Sequence, residues 1–159
     1  MFKRILWATD GSEAADVALP VVKELANTEG ATVVVFHSDL RMVGPHTYGD
    51  TVHFDEAELK EKIRRQASAL GKEGVDVSID ISTGNTIAGA AHDIADAAER
   101  NRADLIVVGT RGHTPLGGLL LGSVTQRLLH IAGSPVLVVP LKVEAASRAT
   151  TETAAGIGA

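Results

Sequence analysis

The chain has 159 residues, 45% of them apolar, which suffices for one domain with a buried core; having no cysteine, it excludes disulfides, thiol catalysis and cysteine-ligated metal sites. A formal charge of −5 leaves no basic excess for nucleic acid or an acidic membrane surface. Mean hydropathy is +0.12 and no apolar run approaches the roughly 20 residues of a membrane helix, so the expectation is a soluble cytoplasmic protein with neither nucleic acid nor membrane as partner.

At the N-terminus the basic pair Lys3-Arg4 precedes a short apolar run that Asp10-Gly11 cuts off far short of a signal-peptide core. Ile5–Thr9 is therefore predicted as the first strand, and Asp10-Gly11-Ser12 as a turn into a helix near Glu13. Ser12 is the expected N-cap, with Glu13 and Asp16 in the first turn. Ala14, Ala18, Val21, Val22, Leu25 and Ala26 form one stripe of a single helix ending before Gly30, with Pro20 bending it or leaving one carbonyl unpaired. Ala31–Phe36 is a second buried strand with His37-Ser38-Asp39 at its C-terminal end, the edge where ligands lie in open α/β sheets.

Residues 41–53 carry Gly, Pro, His and Tyr without periodicity and are predicted as a mobile surface loop. His46, Asp50, His53 and Asp55 have no regular element to fix their spacing, so no metal site is assigned to them. A charged amphipathic helix over Asp55–Leu70 should bury Ala57, Leu59, Ile63, Ala67 and Leu70. Val75–Ile81 alternates apolar and polar residues, the pattern of a half-exposed edge strand. Thr83-Gly84-Asn85-Thr86 then caps a helix over Ile87–Arg100 that should bury Ile87, Ala91, Ile94, Ala95 and Ala98, with His92 at the surface or core edge.

Leu105–Val108 is continuously apolar, as a strand covered on both faces would be, and Gly109 ends it. After a glycine-rich loop, Gly122 precedes Ser123, the expected N-cap of a helix whose apolar positions are Val124, Leu128, Leu129 and Ile131. Val136–Val139, between Pro135 and Pro140, is the last strand. A glycine loop running into a helix start is where phosphate binds with little cost: backbone N–H groups are unpaired and the dipole favours anions, while Ser123 and Thr125 add hydroxyl donors. The spacing is neither that of a P-loop, for want of its lysine, nor G-x-G-x-x-G. The order βαβαβαβαβ predicts an α/β fold, a parallel sheet with helices on both faces, within a single domain over residues 1–142; the Ala-, Thr- and Gly-rich residues 143–159 are expected to form a disordered tail.

The run Gly109-x2-Gly112-x9-Gly122-Ser123, flanked by apolar strands, resembles the nucleotide-binding signature of the universal stress protein family, in its ATP-binding branch. The resemblance implies a Rossmann-like open five-stranded sheet of order 3-2-1-4-5 and a homodimer. That order sets the alternating strand at one edge and the switch point between strands 1 and 4, where the first turn and the glycine loop would meet. By the same resemblance Asp10, with Ala8 and Thr9 beside it, lies near ribose and adenine, and Ser38 lines the adenine pocket where many relatives carry an aliphatic residue. Gly109, Arg111, Gly112 and His113 match ribose and phosphate contacts, and Gly122, Ser123, Val124 and Thr125 match triphosphate contacts.

The implied function is an ATP-binding stress-response or regulatory protein, with or without magnesium, that turns over little or no ATP and dimerises through Val136–Val139, a short apolar edge that invites association. Two alternatives stand beside it. One is a slow ATPase or phosphotransfer enzyme using Asp10, His113 or a loop histidine. The other is a nucleotide-free structural dimer, against which the intact glycine signature speaks. A pyrophosphatase of the PP-loop kind would need S-G-G-x-D-S after the first strand, which Ala8–Ser12 does not supply.

Overall fold

The computed structural model describes residues 1–40, 56–84, 89–110 and 121–141. In chain order the elements are β1 (Arg4–Ala8), α1 (Glu13–Asp16), α2 (Leu19–Glu29), β2 (Thr32–Leu40), α3 (Glu56–Lys72), β3 (Val77–Gly84), α4 (Ala90–Arg100), β4 (Leu105–Gly109), α5 (Ser123–Ile131) and β5 (Val136–Val139). The strands form one sheet of order β3-β2-β1-β4-β5, and every neighbouring pair is parallel. This is the expected Rossmann-like α/β arrangement, with β1 and β4 adjacent at the switch point.

Alternation along each strand divides the core in two. Ile5, Trp7, Val33, Val35, Leu105 and Val107 point to one face, where Ala18, Val22 and Ala26 of α1–α2 and Leu59, Ile63, Ala67 and Leu70 of α3 cover them. Leu6, Ala8, Val34, Phe36, Ile106 and Val108 point to the other, against Ala91, Ile94, Ala97 and Ala98 of α4 and Leu128 of α5. Ile5, Leu6 and Trp7 are wholly buried, and each such side chain contributes roughly 1.5–3 kcal/mol of transfer free energy.

The first predicted helix is two. Pro20 has no N–H to give back to the preceding turn, so α1 stops at Asp16 and α2 restarts at Leu19 with Pro20 in its first turn, where the missing donor costs nothing. Ser12 does cap α1, accepting from the Ala15 amide at 3.2 Å. On α3, Ala57 is exposed and Leu59 begins the buried stripe. Ala97 of α4 is buried where Ala95 was expected to be, Ala95 being only half-buried.

β3 occupies the predicted edge but starts later than expected, with Val75 buried just ahead of it. Its polar face is anchored by Asp80, which accepts from Arg100 and Asn101 at the end of α4. Cover on its apolar face is incomplete, for Ile79 remains 40% exposed.

The predicted loop over 41–53 with His46, Asp50, His53 and Asp55, the capping residues Asn85 and Thr86 with Ile87, and the tail 143–159 lie outside the described residues. Among the described residues no helix is long and apolar enough to cross a membrane.

Candidate functional site

Two chain segments a hundred residues apart meet at the C-terminal ends of β1 and β4. β1 ends in a turn held by its own side chains. The Thr9 amide donates to the Phe36 carbonyl at 2.9 Å, and Thr9 Oγ1 accepts from the Gly11 amide at 3.1 Å. Asp10 Oδ1 accepts from both the amide and the hydroxyl of Ser12, at 3.0 and 2.5 Å. A carboxylate bonding the amide two residues on is the local geometry that favours Asp in turns. Gly11 sits at φ +75°, a left-handed conformation, with Leu59 Cδ1 packed where a side chain would stand.

The α3 side of the sheet clamps this turn. Lys62 Nζ donates to the Gly11 carbonyl at 2.7 Å and to Asp16 Oδ2 at 2.6 Å, while Gln66 donates to Asp16 Oδ1 at 2.8 Å. His37, buried on the same face, has Nδ1 2.9 Å from the Thr9 carbonyl. A carbonyl only accepts, so Nδ1 carries the proton and the ring donates. Nε2 then stands 3.5 Å from Glu56 Oε2 at the start of α3. Neighbouring Asp39, also buried, pairs with Lys60 at 2.6 Å.

On the β4 side, Gly109 lies directly under α1. Thr125 Oγ1 donates to the Gly109 carbonyl at 3.1 Å, and the Gly122 amide donates to the Thr110 carbonyl at 2.8 Å. Together these two bonds seat the start of α5 on the end of β4. Gly122, not Ser123, is the N-cap: its backbone is extended at φ −61° and ψ 154°, its carbonyl accepts from Gln126, and no side chain caps the helix. A helix start leaves its first amides without intrahelical partners, which here leaves those of Ser123, Val124 and Thr125 to carry the dipole's positive end.

Several expected roles change with this geometry. Gly122 has a backbone conformation any residue adopts, so its φ does not require glycine there. Its amide is already bonded to Thr110, which moves the anion-binding role one residue on. The Thr125 hydroxyl is turned inward to β4, and Thr125 takes the buried position expected of Leu129, which is 47% exposed. Ser123 is exposed at the mouth.

Ser38 stands at the end of β2, four residues of which run past Phe36, the partner of Ala8. It faces α4, and its hydroxyl donates to Asp93 Oδ2 at 2.7 Å. The sequence drew attention to His92 on this helix; His92 is exposed and the next residue reaches the sheet edge. Asp93 and Lys62 are the site-building residues that sequence reasoning missed; His37, noted with Ser38 and Asp39 at the end of the second strand, turns to the opposite face from Ser38. Ala8, Thr9, Asp10, Ser38, Gly109, Gly122, Ser123, Val124 and Thr125 thus gather around one sheet edge, while Arg111, Gly112 and His113 lie outside the described residues. Among the described residues, no group of three or more His, Asp or Glu side chains is placed to hold a metal.

The arrangement has known counterparts. The family model described as the universal stress protein family matches residues 1–140. A universal stress protein of Thermus aquaticus is 38% identical over 145 residues, covering 87% of this chain and 99% of its own. Universal stress protein MJ0577 of Methanocaldococcus jannaschii is 32% identical over 157 residues, covering 89% and 97%; its solved structure superposes with a TM-score of 0.72 over 90% of this chain and 99% of that one. A universal stress protein from Archaeoglobus fulgidus, solved in complex with dAMP, superposes with a TM-score of 0.60 at 27% identity, covering 87% and 97%. With its sheet order, its match to the family model over residues 1–140 and these relatives, the chain belongs to the universal stress protein family.

Proposed function

We propose that this protein binds ATP, as its magnesium complex or alone, in the crevice between the ends of β1 and β4, and acts as a stress-response regulator rather than a catalyst. The observation that carries this reading is the uncapped start of α5 seated on Gly109 beside the first turn. The amides of Ser123, Val124 and Thr125 favour phosphate oxygens there, and the extended Gly122 lets a ligand come close. Asp10, Thr9 and Ala8 stand on the ribose side, and Ser38 on the base side. Arg111, Gly112 and His113, from the segment joining β4 to α5, complete the contacts to ribose and phosphate. A relative's complex with dAMP supports an adenine nucleotide as the ligand class.

We expect little or no turnover, because the chain lacks the lysine-bearing loop of a P-loop; Asp10 Oδ1 accepts from Ser12, and His37 lies on the opposite face of β2 from Ser38, bonded to Thr9. We place the functional unit in residues 1–142, as a cytoplasmic homodimer joined through β5.

The test is thermal unfolding with and without Mg-ATP, alongside nucleotide analysis of the purified, denatured protein. A ligand that binds only the folded state adds about 2.7 kcal/mol at a hundredfold excess over its dissociation constant. Wild type should melt higher with Mg-ATP, Asp10→Ala should gain less, and Gly122→Val should fold yet gain nothing. Lys72→Ala, exposed at the far end of α3, should behave as wild type. A full gain in Gly122→Val would reduce the glycine loop to a turn.

A further inference from the structure

We infer that the affinity of this site for its nucleotide is regulated by a proton held between His37 and Glu56, so that the site tightens on acidification; this rests on the nucleotide-site reading above. His37 stands on β2 and is 4% exposed. Because Nδ1–H is donated to the Thr9 carbonyl, the neutral ring offers only a lone pair at Nε2. That nitrogen stands 3.5 Å from Glu56 Oε2, and both atoms are buried without a hydrogen-bond partner among the described residues. An ionised carboxylate also only accepts, so a neutral ring leaves two buried acceptors face to face. One proton resolves this: Nε2–H then donates to Oε2 in a charge-assisted bond, while Nδ1 donates to Thr9 in either state.

Among the described residues, the other charges around this contact are engaged elsewhere. On β2, Asp39 is paired with Lys60 of α3 at 2.6 Å, and beside the turn Asp16 is paired with Lys62 at 2.6 Å. β3 brings Ile81 and Thr83, the register partners of His37 and Asp39, and neither ionises. From β1 the contact is the Thr9 carbonyl, after which Asp10 Oδ1 accepts from Ser12. Glu58 and Glu61 of α3 are exposed. Glu56 lies in the first turn of α3, just ahead of Leu59, which packs against Gly11, and of Lys62, which bonds the Gly11 carbonyl. Docking that first turn on His37 therefore holds both residues against the turn that carries Asp10 on the ribose side. When the proton leaves, the facing acceptors repel and this support weakens. Affinity thus falls as pH rises through the interval of about pH 5–8 in which histidines change charge. Linkage makes the effect reciprocal: bound nucleotide favours the protonated pair, so binding takes up protons.

The experiment measures Mg-ATP binding by calorimetry at about pH 6 and about pH 8 in wild type, Glu56→Gln and His37→Asn. Glu56→Gln keeps the side chain's shape, and its amide donates to neutral Nε2, so the contact forms without a proton. Titration of the nucleotide itself is common to all three proteins and cancels in the ratio of their affinities. Between the two pH values wild type should lose at least about fivefold in affinity relative to Glu56→Gln, and His37→Asn should follow the profile of Glu56→Gln. Either variant alone serves as the reference should the other fail to fold. Binding enthalpies in buffers of different ionisation enthalpy, at about pH 7, should show wild type taking up more protons than either variant. If Glu56 only anchors α3, Glu56→Gln changes affinity by the same factor at both pH values and proton uptake is unaltered; that result overturns the proposal and leaves the nucleotide site standing. Wild type that binds no Mg-ATP at either pH overturns the nucleotide-site reading and this inference together.

Discussion

A Cβ on Gly109 would stand 2.0 Å from the carbonyl oxygen of Ala14. The end of β4 and the first turn of α1 are thus in backbone contact, and this contact brings the two halves of the crevice together. Neither backbone can yield as a flexible side chain would. Gly109→Ala should therefore destabilise the protein by about 1–3 kcal/mol, the range for overpacked sites, and weaken Mg-ATP binding by moving α1 off the strand. Gly133→Ala is the control, since its nearest neighbour would be Glu99 Oε1 at 3.8 Å. Urea unfolding of both variants decides; equal midpoints would mean the chain relaxes around the added methyl group.

His37 holds the last peptide of β1 from below. Its Nδ1–H is the donor to the Thr9 carbonyl inside a buried environment, and leaving a buried acceptor unpaired costs about 1–3 kcal/mol. His37→Leu should lose stability of that order. His37→Asn can set its amide nitrogen near the position of Nδ1 and should recover part of the loss. Two variants of equal stability would show that the bond contributes only through packing.

Much of this was legible in the sequence because it depends on local pattern. Continuous apolar runs marked the central strands, alternation marked β3 as the edge, and Ser12 announced the α1 cap. The glycine spacing pointed to the crevice through a resemblance, and the sheet order placed its two halves side by side. What could not be read were contacts set by three-dimensional approach. Ser38 and Asp93 are 55 residues apart, and neither residue type signals the other. In α5, Val124, Leu128 and Ile131 pack on the core as the pattern implied, but Leu129 was misjudged because leucine outranks threonine in any hydrophobic pattern, whereas Thr125, bonded to the Gly109 carbonyl, is the buried residue. The break at Pro20 was expected as a bend, and its completion into two helices depends on how α1 and α2 each pack.

The clamp on the first turn from α3 predicts a local effect. Lys62 bonds the Gly11 carbonyl and Asp16, and both ionic side chains are about a third exposed, so the ion pair itself contributes little. Lys62→Met keeps the aliphatic stem and removes the donor. Global stability should fall by no more than about 1 kcal/mol, while amide exchange at Gly11 and Ser12 should quicken at least tenfold relative to β1. Unchanged exchange there would mean that Thr9, Asp10 and Ser12 hold the turn without help.

Dimerisation through β5 can be tested at the backbone. The Ile106 amide donates to the Pro135 carbonyl and the Thr110 amide to that of Val139, so residues 135, 137 and 139 direct their backbone groups toward β4. By alternation, the N–H and carbonyl groups of Val136 and Val138 point to the open edge of the sheet. A two-fold axis normal to the sheet would pair this edge with its copy in antiparallel fashion, as closed symmetry requires. Charged substitutions here confuse two effects, since Val136 and Val138 also pack against the core that α4 and α5 cover. Val138→Pro removes an outward donor without removing a β4–β5 bond, and proline is tolerated on an edge strand whose N–H faces outward. Leu137→Pro removes an inward donor and should damage the fold itself. In sedimentation at micromolar concentration, wild type should run as a dimer and Val138→Pro as a folded monomer with unchanged circular dichroism. A wild-type monomer, or a Val138→Pro dimer as tight as wild type, would place the interface elsewhere or remove it.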